Sequence, residues 1–374
     1  MSVIHFTTVH SRNDIRIRVK QAASLAHYFD EPVYLYVQDG QGNALDSSAN
    51  VHVIDTGVPS GGRISRMTKG VWRIYRAVRR AKPDVAHFHD PELIPAGLLL
   101  KLSGVKVIYD VHEDLPRQIL GKHWISPWLR RPVSWAIQTI EWVASRAFDG
   151  IVTATPTISR RFPAHKTVTV QNFPILAELV ASEPVEYTAR PTHVAYVGGI
   201  TAMRGAKEMV QALEYFAPEQ AVRLQLAGSF TPRQLELEVK QITGWERVIA
   251  HGWAERNTVS VLLSQVRAGL VLFHPAPNHV DAQPNKMFEY MAAGLPVIAS
   301  DFPLWRRIVE GAGCGLLVDP LDPKVIAEAI DWLLANPEEA EAMGRRGRQA
   351  VEEIYNWERE SKTLIGFYKD TLNV

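Results

Sequence analysis

The stretch Asp281-Ala-Gln-Pro-Asn-Lys-Met-Phe-Glu289-Tyr-Met-Ala-Ala-Gly294-Leu-Pro-Val-Ile-Ala-Ser300 is the most informative part of the chain. Pro284 fits the first position of a helix, and Gly294 fits the residue just past the end of that helix. The apolar run that ends at Ser300 then predicts a short interior strand. The stretch therefore predicts a loop, a helix and a buried strand, in that order.

This helix would suit an anionic ligand. Its N-terminus presents free N–H groups and the positive end of the helix dipole to the preceding loop. Lys286 and Glu289 are three residues apart, so they share a helix face. A cation for phosphate beside a carboxylate for hydroxyl groups fits a nucleotide sugar. The alternative is an ordinary Lys–Glu pair on a helix surface.

Length and composition indicate a globular protein of two domains. A chain of 374 residues exceeds the usual size of one compact core. Its 46% hydrophobic and 22% charged residues are ordinary for such proteins. Cys314 is the only cysteine, so no intrachain disulfide can form, and a reducing compartment is expected. The N-terminus has no signal-peptide pattern and no apolar run is long enough to span a bilayer, which predicts a cytoplasmic location.

The net charge of +1 conceals an uneven distribution, because the first half of the chain is basic and the second half is acidic. A basic half attracts anionic partners such as phosphates or lipid headgroups. An acidic half argues against a protein that wraps nucleic acid along its whole length, so no nucleic-acid partner is expected.

Apolar strands alternate with helical segments throughout, which predicts an α/β fold of doubly wound parallel sheets. The first series begins with a strand at Val3–Val9, and the second begins with one at His193–Gly198. Between them, the proline-containing segment Asn172–Pro191 is typical of a linker. The predicted domains are 1–174, joined by a C-terminal helix at 356–374, and 175–355.

Ligands of open parallel sheets bind beyond the carboxyl ends of the strands. In the first domain that rule selects polar residues after three predicted strands: His10 with Asp14 and Arg16, His89, and His112 with Glu113. A metal cluster of His87, His89, His112 and Asp114 is an alternative, but its spacing matches no familiar ligand pattern.

The second domain carries its own phosphate candidate. Gly198 and Gly199 follow a predicted strand, and paired glycines let backbone amides approach an anion closely. Arg204 could form a forked contact with a diphosphate. Gly228 ends the next strand and offers an edge for a base or ribose. Neither a G-x-G-x-x-G motif nor a P-loop lysine motif is present.

Taken in order, these features resemble bacterial family-4 (group 1) glycosyltransferases of the GT-B fold. The resemblance rests on His10…Asp14-x-Arg16, His87-Phe-His89-Asp90-Pro91, Asp110-Val-His112-Glu113, Gly198-Gly199…Arg204-Gly205, Asp281-x7-Glu289 and Ala293-Gly294-Leu-Pro-Val. It implies two Rossmann-like domains facing a cleft, with the acceptor on the first and the nucleotide sugar on the second. It also implies transfer with retention, without a cofactor or an essential metal.

The resemblance further implies residue roles. His89, Asp281 and Glu289 would be catalytic, with Glu289 on the ribose hydroxyls, Asp281 on the transferred sugar where the family usually has Glu, and His89 near that sugar. Donor-binding residues would be Gly198, Gly199, Arg204, Gly228, Asn285, Lys286 and Glu289. Acceptor-binding residues would be His10, Asp14, Arg16, His112 and Glu113. Gly199 stands where the family commonly has Arg, and we expect Lys286 to supply that missing positive charge.

The expected activity is transfer of a hexose-type sugar from a nucleotide-diphosphate sugar, with UDP favoured, to a glycan, lipid-linked or small-molecule acceptor in bacterial polysaccharide or glycoconjugate synthesis. The alternatives are a GT-B epimerase or hydrolase of nucleotide sugars, and a non-catalytic nucleotide-sugar-binding protein. Tryptophans and cations mix in the segment 118–135, and cations are frequent from Arg63 to Lys82, which is typical of a surface that contacts anionic membrane. Packing of those tryptophans inside the protein is the alternative.

Overall fold

The structure is a computed structural model that describes residues 1–58, 61–122, 125–178 and 185–372. The chain divides into two compact units, Met1–Asn172 with Trp357–Val374, and Phe173–Asn356. The predicted boundaries lie within two residues of these divisions. Parts of three predicted segments fall outside the described residues: 179–184 of the linker, 123–124 of the tryptophan-rich segment, and 373–374 of the C-terminal helix.

The first unit contains one eight-stranded sheet. Its strands are β1 (Val3–Phe6), β2 (Val33–Val37), β3 (Ala44–Asp46), β4 (Val51–Asp55), β5 (Val85–Phe88), β6 (Lys106–Val111), β7 (Gly150–Thr153) and β8 (Thr167–Thr169). The sheet order is β3-β4-β2-β1-β5-β6-β7-β8, and every pairing is parallel except β3 with β4. The central strands β1 and β5 are buried on both faces, as expected of a doubly wound sheet.

Helices cover both faces of this sheet. They are α1 (Ala23–Phe29), α2 (Arg63–Ser65), α3 (Val71–Ala81), α4 (Ile94–Leu102), α5 (Leu115–Leu120), α6 (Pro127–Ala147) and α7 (Pro156–Ser159), with the C-terminal α15 (Trp357–Leu372). Two π-helical segments (Ile15–Ala22, Arg66–Gly70) precede α1 and α3, and short 3₁₀ turns occupy Pro91–Leu93 and Ala164–Lys166. On one face α3, α4 and α6 pack over a core that includes Ile74, Leu100 and Ala144; on the other, α15 contacts α1.

The second unit contains a fully parallel six-stranded sheet in the order β11-β10-β9-β12-β13-β14. The strands are β9 (His193–Val197), β10 (Arg223–Ala227), β11 (Val248–Gly252), β12 (Ala268–Val271), β13 (Val297–Ser300) and β14 (Gly315–Val318). The helices are α8 (Ala206–Ala212), α9 (Arg233–Val239), α10 (Arg256–Ser264), α11 (Asn285–Ala292), α12 (Pro303–Ala312), α13 (Pro323–Ala335) and α14 (Pro337–Glu353), and the 3₁₀ turns are Leu176–Glu178, Tyr187–Ala189, Ala202–Arg204, Leu213–Tyr215 and Thr243–Arg247.

Two apolar cores lie on the two faces of this second sheet. One contains Tyr196 and Leu270, and the other contains Met287, Tyr290 and Trp305. Tyr290 on α11 reaches under β9, where its hydroxyl accepts the backbone N–H of Val197 at 2.8 Å. The helix predicted from the opening stretch is therefore fixed against the central strand of the sheet.

The opening stretch differs from its prediction at one end. Pro284 has an extended conformation (φ −70°, ψ 124°) and lies at the N-cap, so the helix begins at Asn285 rather than at Pro284. Gly294 follows the helix with φ +70°, as the sequence predicts for a residue that must adopt the left-handed conformation. The segment Ile15–Ala22 is π-helical, and Asp14 caps it by accepting the N–H of Ile17. Within the described residues, every helix is too short or too polar to cross a lipid bilayer.

Candidate functional site

Three glycines end neighbouring strands of the second unit at its carboxyl edge. Gly198 follows β9, Gly228 follows β10 and Gly252 ends β11, with φ of +110°, +150° and +66°. A Cβ atom at Gly228 would lie 2.0 Å from the carbonyl oxygen of Gly198, so only glycine permits this approach. The glycines therefore let adjacent turns approach each other closely, while the N–H groups of Gly198 and Gly228 donate to the carbonyl oxygens of Ala227 and Gly252.

Lys286 reaches this edge from the first turn of α11. Its Nζ lies 3.4 Å from the centroid of the Tyr196 ring, and a Cβ atom at Gly198 would be 3.5 Å from that nitrogen. The side chain is buried, and Nζ has no hydrogen-bond partner among the described residues. Burial, reinforced by the charge of Arg204, lowers the pKa of Lys286 well below its usual value, while Glu289 opposes that shift.

Arg204 forms the second cation of this cluster. Its Nη1 donates to the carbonyl oxygen of Gly199 at 3.1 Å, and its guanidinium lies 5.3 Å from the centroid of the Phe273 ring. A Cβ atom at Gly199 would approach Nη1 to 3.0 Å. The paired glycines therefore leave room for a guanidinium and an ammonium beside the same turn, and two such cations suit a ligand with two phosphates.

Glu289 lies on α11 and is mostly buried. Its Oε1 accepts from Nη1 of Arg256 at 2.6 Å, and Arg256 also donates to Oε2 of Glu178 at 3.1 and 3.2 Å. Despite the cost of burial, these two carboxylates raise the pKa of Arg256. Arg256 thus fixes one carboxylate oxygen of Glu289 and leaves the other as an acceptor for hydroxyl groups.

Asp281 and Asn285 flank the N-terminus of α11. Asp281 is half-buried in the loop before the helix, and Asn285 is exposed at its first position. The indole N–H of Trp305 on α12 donates to the carbonyl oxygen of Ala282 at 2.7 Å, which ties this loop to the buried side of the unit. The role of Asp281 on the transferred sugar stays a prediction.

The first unit contains a buried polar network on the face of the sheet that α15 covers. Asp110 accepts two bonds from Arg16 (3.1 and 2.7 Å) and one each from Gln21, His89 and His112. Burial alone would raise the pKa of Asp110. The charge of Arg16 and the hydrogen bonds donated by His112 and His89 instead hold that pKa well below its usual range. Arg16 is buried and also donates to Val170, so its predicted contact with an acceptor stays untested.

His89 is enclosed in this network. With Asp110 ionised, His89 donates through Nδ1 at 3.1 Å, and its Nε2 accepts from Nδ1 of His5 at 2.9 Å. Nδ1 of His87 lies 2.7 Å from the hydroxyl of Tyr368 on α15. Burial lowers the pKa of all three histidines, so they are neutral near pH 7. The side chain of His89 is 0% exposed, and its predicted catalytic role stays a prediction.

His10 and Asp14 form an ion pair closer to the surface. His10 Nδ1 lies 3.0 Å from Asp14, and Nε2 lies 3.5 Å from Asp90. Burial lowers the pKa of His10 and raises that of Asp14, but the paired charges outweigh burial. The pKa of His10 is therefore raised, and that of Asp14 is lowered to about 2. His112 is partly exposed and Glu113 is exposed, with Glu113 accepting from Gln118. These four residues are the predicted acceptor-binding groups that solvent reaches.

The metal alternative can be tested on geometry. His87, His89 and Asp110 each offer a ligand atom within 4.8 Å of the others. Asp110, however, already accepts five bonds, two of them from a guanidinium whose charge would repel a metal ion. Asp114 caps α5 and pairs with Arg161 instead of joining the histidines. The residues fit a hydrogen-bond network better than a metal site.

The structure thus brings together Gly198, Gly199, Arg204, Gly228 and Lys286, with Glu289 on the next turn of α11. Sequence reasoning missed Arg256, whose ion pair with Glu289 joins residues 33 positions apart. One signal was available, since Arg256 opens the helix after β11 and so lies near the ligand-binding edge.

Two family models match successive parts of the chain. Residues 20–172 match the glycosyl transferase 4-like domain, and residues 185–350 match glycosyl transferases group 1. The chain belongs to the family-4 (group 1) glycosyltransferases. It is 22% identical over 317 residues to the MMP alpha-(1->4)-mannosyltransferase of Mycolicibacterium hassiacum, covering 79% of this chain and 72% of that protein.

Solved structures show that the fold is GT-B. Sucrose-phosphate synthase from Thermosynechococcus elongatus aligns over 100% of this chain and 99% of its own, with a TM-score of 0.79 and 19% identity. Anabaena HepE, solved in complex with UDP-glucose, aligns over 99% and 100%, with a TM-score of 0.74 and 12% identity. The resemblance stated from the sequence is confirmed at the level of family, fold and glycosyltransferase activity.

Proposed function

We propose that this glycosyltransferase transfers a hexose-type sugar, with retention, from a nucleotide-diphosphate sugar to a glycan, lipid-linked or small-molecule acceptor in bacterial polysaccharide or glycoconjugate synthesis. The second unit binds the donor and the first binds the acceptor. UDP is the favoured nucleotide, which the UDP-glucose complex of the structural relative HepE supports. The cytoplasmic location expected from the sequence stays a prediction.

One observation carries the donor assignment. Lys286 is a buried amine without a hydrogen-bond partner among the described residues, and it lies beside the Gly198 turn at the N-terminus of α11. Burying a charged amine without a partner costs free energy, and a ligand of negative charge would offset that cost. The dipole of α11 and the guanidinium of Arg204 favour the same negative charge. A diphosphate satisfies all three groups together.

The same arrangement supports catalysis. As the sugar leaves the donor, negative charge builds on the departing nucleotide diphosphate. Fixed cations that already face that position stabilise the transition state without reorganisation. Lys286 and Arg204 would supply this stabilisation from the protein's own side chains, and the proposed transfer therefore needs no metal. Glu289, held by Arg256, would orient the ribose and so the whole donor.

A ligand series tests the donor assignment. Binding to the native state raises the melting temperature, so thermal shifts with nucleotide sugars, UDP, UMP and uridine should rank the donor and locate the contribution of each phosphate. Lys286→Met should lower the affinity for ligands that contain a diphosphate and leave the affinity for uridine unchanged. Equal losses for UDP and uridine would contradict the phosphate role of Lys286.

Turnover tests the reaction. Release of nucleotide diphosphate should require an acceptor, persist in excess EDTA, and vanish in Glu289→Ala although that variant still folds, as circular dichroism would show. Glu310→Ala, an exposed acid of the same unit, is the control. NMR of the product should show the donor's anomeric configuration. An inverted product would refute retention, and release that needs no acceptor would favour a hydrolase.

A further inference from the structure

The three helices on one face of the first unit present an unusual surface. The helices α3, α4 and α6 contain a single acidic residue, Glu141, and it is buried in an ion pair with Arg161. Cations and large apolar side chains occupy many of the exposed positions of the same helices, and the other exposed positions carry no charge. Because α4 contacts both α3 and α6, these side chains belong to one continuous layer, here called the outer helix layer.

Tryptophans form a stripe along α6. Trp128, Trp135 and Trp142 are seven residues apart, so they share one face of the helix, and they are 75%, 71% and 48% exposed. With a rise of 1.5 Å per residue, the stripe runs roughly 21 Å along the surface. The exposed side chains of Arg131 and Arg146 accompany it, and the guanidinium of Arg146 lies 3.1 Å from the centroid of the Trp142 ring.

A cationic stripe runs along α3 and the turn before it. Lys69, Arg73, Arg76 and Arg80 are spaced by four, three and four residues, so they lie on one face, and all four are exposed. None of them forms an ion pair with an acidic residue in the described part of the chain. Trp72, 49% exposed, lies under the guanidinium of Arg76 at 5.3 Å.

The helix between them adds apolar surface. On α4, Leu99 is 40% exposed and Leu102 is 84% exposed. Because α4 contacts both α3 and α6, these leucines add exposed apolar side chains to the outer helix layer. Exposed tryptophans and leucines that cluster beside charge of one sign mark an interaction surface rather than an ordinary solvated face.

We infer that the outer helix layer docks on the surface of a bilayer that contains anionic lipid. Tryptophan is the side chain most favoured at headgroup depth, where its ring is apolar and its N–H meets water. Basic residues beside it are attracted to the negative surface potential of anionic lipid, and the near absence of acids removes opposing repulsion. A nucleic acid or acidic protein would match the cations of α3 but would leave the tryptophans and leucines without a partner.

The layer lies on the face of the sheet opposite to the one that α15 covers, so it is separate from the buried Asp110 network. It also belongs to the first unit, whereas the proposed donor residues belong to the second. Docking would hold the acceptor-binding unit next to the bilayer, which suits an acceptor carried on a lipid. The inference stands on surface chemistry and does not require the donor assignment.

Co-sedimentation of the full chain with vesicles tests the inference. Wild-type protein should sediment with vesicles that contain phosphatidylglycerol, bind pure phosphatidylcholine more weakly, and dissociate as salt rises. Replacing Arg73, Arg76 and Arg80 by Gln should lower the partition coefficient about fivefold per charge. The combination Trp128→Gln, Trp135→Gln and Trp142→Gln should lower it more than about tenfold on both kinds of vesicle.

Matched controls come from the second unit. Trp253→Gln with Trp332→Gln removes two exposed tryptophans, and Lys324→Gln with Arg307→Gln and Arg345→Gln removes three exposed cations. These control variants should bind vesicles like the wild type. All variants should keep the wild-type melting temperature and the wild-type thermal shift with the donor, so a failure of docking is distinguishable from a failure of the proposed function.

Hydrogen exchange supplies a second measurement. Vesicles with anionic lipid should protect backbone amides at the ends of α3 and α6 and leave the α10–α11 region unchanged. Three results would overturn the inference: wild-type protein that stays in the supernatant, a tryptophan-substituted variant that binds like the wild type, or a dimer in light scattering that the tryptophan substitutions dissociate. The last result would assign the layer to a second copy of the chain.

Discussion

The ammonium nitrogen of Lys286 lies 3.4 Å from the centroid of the Tyr196 ring and has no hydrogen-bond acceptor among the described residues. The ring face attracts the cation, but it does not replace the hydrogen bonds that water would provide. Arg204 adds like charge, and Glu289 compensates only in part. The unliganded protein therefore keeps an unfavourable group at the site where the ligand is proposed to bind.

Substitution of Lys286 should therefore stabilise the protein. Lys286→Met keeps the aliphatic stem and removes the buried amine, so the free energy of unfolding should rise by about 1–3 kcal/mol. Urea unfolding at pH 7 measures this change. Lys240→Met, which removes an exposed lysine of the same unit, should change stability little. A clear loss of stability in Lys286→Met would mean that the amine has a structural partner instead.

Donor binding should depend on pH through the same amine. The pKa of Lys286 is lowered in the free protein, and a diphosphate beside it would raise that pKa. Binding at a pH between the two values then takes up a proton, so affinity should fall as pH rises. The phosphodiester groups of a nucleotide sugar do not titrate near neutrality, so they do not add to this pH dependence.

Calorimetry in buffers of different ionisation enthalpy measures this proton uptake. The apparent binding enthalpy of the nucleotide sugar should vary with the buffer for the wild type and stay constant for Lys286→Met. Proton release by the wild type, or equal uptake by the variant, would contradict the assignment.

Arg256 should act by positioning Glu289. Arg256→Ala removes a charge-assisted bond of 2.6 Å and frees the carboxylate to rotate, which should cost about 1.5–3 kcal/mol of donor affinity. The loss should appear with UDP and be much smaller with a 2′,3′-dideoxy analogue, which lacks the hydroxyl groups that Glu289 would bind. Arg247→Ala, a distant arginine that binds backbone carbonyls, is the control. Equal losses for both ligands would show that Arg256 does not act through the ribose.

The sequence predicts the strands and the end of α11 well because buried apolar runs and a left-handed glycine leave local signals. The edge strand β3 leaves no such signal, because two of its three residues are exposed and so short a strand has no hydrophobic pattern. The sequence predicts Pro284 as the first residue of the helix, whereas the structure places Pro284 at the N-cap, one position earlier. Proline fits both of these positions. Sequence patterns therefore predict the features that depend on residues close together in the chain.

The candidate sites show the complementary limit. Spacing along one helix suffices to place Lys286 and Glu289 on the same face. The absence of a hydrogen-bond partner for Lys286 among the described residues follows instead from the packing of Tyr196, which lies on β9, and Phe273, which follows β12. The burial of His89 and Arg16 likewise depends on Asp110, which is 94 positions from Arg16. Burial and long-range ion pairs arise from tertiary packing, which a single sequence does not encode in any short pattern.

The buried Asp110 network should be essential to the first unit. Asp110→Asn leaves the buried guanidinium of Arg16 without a counter-charge, so the free energy of unfolding should fall by about 3–5 kcal/mol. Asp46→Asn, which breaks the more exposed pair with Arg18, should cost less than about 1 kcal/mol. Denaturant unfolding with a probe in the first unit compares the two variants. Similar small losses would show that the buried guanidinium of Arg16 does not depend on the charge of Asp110.

A charge swap gives the strictest test of the donor site. Gly199 lacks a left-handed backbone, and a Cβ atom there would meet only the end of the Arg204 side chain, so position 199 can accept a longer side chain. Adding Gly199→Arg to Lys286→Met should restore part of the affinity for UDP, since it returns a cation to the same turn. Gly198→Arg in the same background should fail, because φ of +110° strains any side chain at that position. Isothermal titration with UDP measures the affinity of Lys286→Met and of both double variants. If Gly199→Arg restores no affinity, Lys286 does not act by supplying a positive charge to the phosphates.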